Sequence, residues 1–96
     1  MSENILVEGI NLDPVENDCK TVYENFDNLP VAVQEVITTM VKEIGVERTS
    51  KFGIMKRSIC ADPPDYEKAA NSIVASKWYG QDSQTAGDVA EKLRNV

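Results

Sequence analysis

The stretch NLPVAVQEVITTMVKEIG, residues 28–45, decides the fold. Pro30 sits where a helix can begin, because its missing N–H would have no partner there. Val33, Val36, Ile37, Met40 and Ile44 then recur at steps of three and four, which places them on one face of an α-helix. Leu29 leads into that face. Gly45 stands where the helix should stop, since glycine takes the left-handed C-terminal conformation without a Cβ clash. The apolar band is wide, as expected for a central helix surrounded by others.

The same period runs outward in both directions. Upstream, Asp13 is placed as an N-cap, with Pro14 at the first helical position and Glu16 completing a capping box. Val15, Cys19, Val22, Tyr23 and Phe26 form one stripe, and Asp27-Asn28-Leu29-Pro30 breaks it. Downstream, Thr49 or Ser50 is expected to cap a third helix that buries Phe52, Met55 and Ile59. Pro63 and Pro64 end it, because the residue before proline avoids the helical region. A fourth helix is expected over residues 64–78, with Tyr66, Ala69, Ala70, Ile73 and Val74 inside and Gly80 as its stop. Asp82 or Ser83 should cap a fifth, which buries Ala86, Val89, Ala90 and Leu93.

The expected fold class is therefore all-α, a single compact bundle of about five helices. It covers residues 13–96 and is preceded by an arm over residues 1–12. In the arm, Gly9 interrupts Ile5, Leu6, Val7 and Ile10, which fits a short helix, an extended segment or a single strand.

Composition narrows the function. The 96 residues carry a net charge of −6 and no histidine. An acidic chain does not suit nucleic acid, whose affinity comes from Lys and Arg on phosphates, nor an anionic membrane or cell wall. The absence of histidine removes the commonest general base and the commonest zinc ligand. No metal site and no cofactor is expected. Cys19 and Cys60 make no CxxC pair and read most simply as free thiols. No apolar run is long enough to span a bilayer, and Met1-Ser2-Glu3-Asn4 does not resemble the basic start of a signal peptide. The expectation is a protein that stays in the cell that makes it.

DYEKAANSIVASKWYGQ, residues 65–81, resembles the "DYEAAAxxxxxSKWxxQ" region of T-even-type phage lysozymes, glycoside hydrolase family 24. Ser50-Lys51-Phe52 is similar to the segment that opens the preceding family helix, and residues 28–45 resemble the family's central helix with its glycine stop. Residues 15–30 resemble the end of the long helix that links the family's two lobes. Order and spacing agree over roughly residues 13–96. The resemblance implies the C-terminal helical lobe, one wall of a peptidoglycan-binding cleft. The catalytic Glu, Asp and Thr belong to the other lobe.

The family signature places an Asp nine residues after its Glu and a Thr six further on. No Glu of this chain has an Asp at that spacing. The one matching Asp–Asp pair, Asp18 and Asp27, is followed by Val33 in place of Thr. Lys42 and Glu43 stand where the family has an aromatic residue and then Asn or Gln. Thr85 replaces the family arginine that pairs with the catalytic glutamate. Losing the acid and losing its partner are consistent with each other. Many family members are also basic, unlike this chain.

No catalytic residue is therefore assigned. Glu43 has no second carboxylate across a sugar, and glycoside hydrolysis needs two, about 5–5.5 Å apart for retention or about 6.5–9.5 Å for inversion. The candidate contacting residues are Trp78, Tyr79, Gln81, Glu43, Lys42 and Thr85. Three have a plainer reading: Trp78 as core, Gln81 as a loop cap, and Glu43 as a solvated helix-end carboxylate; Tyr79 is less constrained. Asp62 and Asp65 read as cap residues, and Lys51, Lys56 and Arg57 as a solvated face.

The expected function is a non-catalytic, phage-encoded lysozyme-like protein. It would bind a protein partner or a second copy through the arm and the groove left by the missing family helix. Half of a split or vestigial muramidase, and a peptidoglycan- or sugar-binding module, are the alternatives. The expected location is the host cytoplasm, or the virion.

Overall fold

The computed structural model describes residues 14–96. The arm of residues 1–12 and the Asp13 cap lie outside the described residues. Helix α1 covers Pro14–Val22, and a 3-10 turn follows at Phe26–Asn28. Helix α2 covers Val31–Ser50, α3 Gly53–Ile59, α4 Tyr66–Val74, α5 Lys77–Gln81 and α6 Ser83–Arg94. The fold is all-α, and no strand occurs among the described residues.

α1 lies along α2, and Cys19 meets Thr38 across their interface at 3.7 Å. α4 packs on α6 and α3, while α6 also packs on α2 and α5. One continuous core results. Val33, Val36, Ile37 and Met40 from α2 meet Met55 of α3, Ala69, Ala70 and Ile73 of α4, and Ala86, Val89, Ala90 and Leu93 of α6, all buried. Cys19, Val22, Tyr23 and Phe26 close the core on the α1 side. Val15 and Ile44 pack against it only partly buried.

Gly45 breaks α2 as its position suggested, with φ +85° and ψ 166°. That corner of backbone space is essentially restricted to glycine. The helix nevertheless resumes at once over residues 46–50 instead of stopping. The buried Thr49 hydroxyl donates to the Gly45 carbonyl at 2.7 Å, which holds the two halves together. Thr49 is thereby committed backward, and the Ser50 hydroxyl bonds the Glu47 carbonyl. Neither residue caps α3, contrary to expectation. The residue before α3 is Phe52, which makes no side-chain cap bond.

Four other expectations are corrected. The stripe through Phe26 is not one helix; α1 ends at Val22 and the 3-10 turn carries Phe26 into the core. The fourth helix does not reach Trp78. It ends at Val74, and Ser76 caps a separate α5 by accepting from the Tyr79 N–H. Gly80 lies within α5, and Val74, expected inside, is 37% exposed. The break has a geometric cause. At about 100° per residue, Ile73 and Trp78 would sit about 140° apart on a continuous helix. Both are buried here because the chain turns between them. Of the two candidate caps for the last helix, Asp82 is the one used, accepting from the Thr85 N–H at 3.2 Å.

Candidate functional site

Two concave regions lie on the bundle, and each takes one of the sequence candidates, Trp78 in the first and Lys42 in the second. The first is a hollow of about 520 Å³ between the end of α2, the start of α3 and the α4–α5 junction. Arg48, Lys51 and Lys77 supply its cations. Phe52 and Trp78 form its apolar floor, ring edge to ring face, with centroids 6.4 Å apart and planes at 86°. Ile54, 48% exposed, stands at its margin. The lining contains no carboxylate. The hydroxyls of Ser72 and Ser76 also line it but already donate to the Ala69 and Ile73 carbonyls, both at 2.6 Å.

Local sequence explains this gathering. The turn at Gly45 redirects residues 46–50, so Arg48 reaches α5 and donates to the Gln81 side-chain oxygen at 3.2 Å. The Ser76 cap then swings Lys77 to the surface and Trp78 inward. Trp78 is only 3% exposed. Its ring is a floor, not a free stacking face. Gln81 fastens α2 to α5 through Arg48 and is not a loop cap. Tyr79 is half-buried and lies against Gly87 of α6.

Lys42 and Thr85 lie outside this hollow. Lys42 lines a groove of about 610 Å³ beside α1, with Val15, Val31, Gln34 and Thr38. Three carboxylates line that groove as well, and each is held by a lysine. Lys20 reaches Glu16 and Asp27, both at 3.4 Å, and Lys92 reaches Glu35 at 2.8 Å. Asp27, and after it Glu16, holds the Lys20 ammonium above its ordinary pKa. Thr85 lines a smaller adjoining pocket between α2 and α6, with Thr39 and Lys92 shared between the two. Glu43 is exposed and lines neither region. The six sequence candidates therefore do not form one site.

Sequence reasoning missed Arg48 and Lys77 and read Lys51 as plain surface. The signal available was the charge distribution. Residues 46–81 carry six cations against four acids, a local +2 within a chain of −6.

Compared with protein-family models, with curated proteins and with solved structures, the chain matches none.

Among the described residues, no group of three or more acidic or thiol side chains gathers closely enough to hold a metal ion. No helix among them is long and apolar enough to cross a membrane. Cys19 lies in the core, and Cys60 is a free thiol at the surface. Asp65 caps α4 by accepting from the Lys68 N–H at 2.9 Å, whereas Asp62 caps no helix. Among the described residues, Tyr23 is the buried side chain whose polar atom has no partner; its hydroxyl finds no hydrogen bond. Burial, and secondarily the Cys60 thiol, raise its phenol well above the ordinary value.

Proposed function

We propose that this chain acts by binding and not by cutting. It would be a non-catalytic domain related to the C-terminal lobe of T-even-type phage lysozymes, with a protein as its partner. The observation that carries this reading is the hollow over Phe52 and Trp78, which is lined by three cations and no carboxylate. A glycosidase needs two carboxyl groups facing a sugar, one of them kept protonated at working pH. The groove that does contain carboxylates ties each of them to a lysine.

The departures at Lys42, Glu43 and Thr85 support the same reading, since a working cleft wall would keep the arginine that Thr85 replaces. The sugar-binding alternative is less well supported, because the single tryptophan presents almost no exposed ring. The proposed setting is a bacteriophage-infected cell, with the domain free in the host cytoplasm or built into the virion.

The split-enzyme alternative is tested by complementation. A purified N-terminal lobe of a T-even-type lysozyme is mixed with this chain and assayed on peptidoglycan. No recovery of cleavage is expected, whereas recovery would replace the binding reading with that of half an enzyme.

A further inference from the structure

The hollow is one flank of a larger basic surface. On the other side of α3, Arg57 and Lys68 line a second concavity, and Ile54 lines both. A half-exposed isoleucine is thus flanked by Arg48, Lys51 and Lys77 on one side and by Arg57 and Lys68 on the other. None of these five cations makes an ion pair with a described residue; the ion pairs among the described residues belong to Lys20, Lys92 and Arg94. One carboxylate, Asp65, lines the second concavity, and it is occupied as the α4 cap. Unpaired cations of one sign, collected around an exposed apolar residue on an otherwise acidic protein, complement an anionic partner that has its own apolar side chain.

We propose that this surface docks an acidic, extended protein segment. An apolar side chain of that segment would insert between Ile54 and the Phe52–Trp78 floor, and its carboxylates would pair with Arg48, Lys51 and Lys77. This rests on the reading of the chain as a binding domain and names the partner's chemistry. Nucleic acid fits less well. Its affinity grows with the number of phosphates neutralised, and a chain of net −6 with a small basic patch repels a long polyanion. An anionic membrane fits less well too. Interfacial binding needs an apolar helix face, and α3 is seven residues long and exposes one large apolar side chain, Ile54.

The test uses the full chain and synthetic decapeptides with four glutamates around one central Leu, Ile or Phe. Binding is read by anisotropy of the labelled peptide at low salt. With unlabelled peptide it is read by the emission of Trp78, the only tryptophan. Saturable binding is expected with at least one of the three peptides. Replacing the glutamates by glutamines, or introducing K51E together with K77E, should weaken it by about tenfold or more, and raised salt should weaken it further. I54S should weaken it about fivefold, and K20Q, on the far side, should leave it unchanged. Absence of saturable binding overturns the proposal. So does binding that ignores the glutamates or the Lys51 and Lys77 reversals. Tighter binding of a single-stranded decanucleotide, or of phosphatidylglycerol vesicles, would assign the surface to that class instead. Peptidoglycan cleavage by the pure chain would sink the non-catalytic reading while leaving the peptide result standing, so the two failures are distinguishable.

Discussion

Replacing Tyr23 by Phe should make this protein more stable, although Tyr23 is among its most deeply buried large side chains. The ring is 1% exposed and packs in the core beside Cys19 and Phe26, and the substitution keeps it. The Lys56 ammonium, 5.8 Å from the ring centre, keeps its cation–π contact as well. What goes is a hydroxyl that has no hydrogen-bond partner and no access to solvent. In the unfolded chain that hydroxyl is hydrated, so folding strips it of water for nothing in return. Such a buried, unsatisfied hydroxyl costs about 1–3 kcal/mol. Y23F should therefore gain about 1–2 kcal/mol at neutral pH, and a domain of this size shifts its Tm by about 4–8 °C per kcal/mol.

The gain should grow in alkali. Burial first, and the Cys60 thiol second, raise the folded-state pKa of Tyr23 above the unfolded value of about 10. Above that pH the unfolded chain has lost the proton while the folded chain still holds it, so stability falls as pH rises. The loss from this one group is about 1.4 kcal/mol at pH 11, and Y23F should escape it. Urea unfolding followed by circular dichroism, for both proteins at pH 7 and at pH 11, gives the comparison. A Y23F variant that is less stable at pH 7, or that loses stability in parallel with the parent between the two pH values, would refute the reasoning.

Other expectations follow from the fold. G45A should cost about 1–3 kcal/mol in thermal unfolding, because the positive φ there strains any Cβ-bearing residue even though the space around Gly45 is open. L93A, at a fully buried position where α6 meets α4, should cost about 2–5 kcal/mol by urea denaturation. A thiol reagent under native conditions should label Cys60 quickly, and should label Cys19 only when the chain unfolds, as mass spectrometry would show.

Much of the fold was legible because burial follows simple spacing. Val33, Val36, Ile37 and Met40 declare one helix face, and Ala86, Val89, Ala90 and Leu93 another; all eight are buried. Gly45 and Asp82 were legible because their roles are local, a backbone angle and a cap. The split between α4 and α5 was not. Val74, Ala75, Ser76 and Lys77 are all compatible with helix, and only the need to bury both Ile73 and Trp78 turns the chain there. The Thr49 cap failed for a similar reason, since its hydroxyl was taken up by the carbonyl that Gly45 exposes. The basic hollow was hidden by distance along the chain. Arg48 and Lys77 are 29 residues apart, and they converge only because α2 bends and α5 restarts. Trp78 was named from the sequence, but its cationic surroundings depend on those two turns.

The central claim, that this domain binds and does not cut, is tested most directly by incubating the pure chain in excess with purified peptidoglycan and measuring released reducing ends. No release above the buffer control is expected across pH 4–8. Sustained release from the pure chain would contradict it, and would require a pair of carboxylates able to flank a sugar.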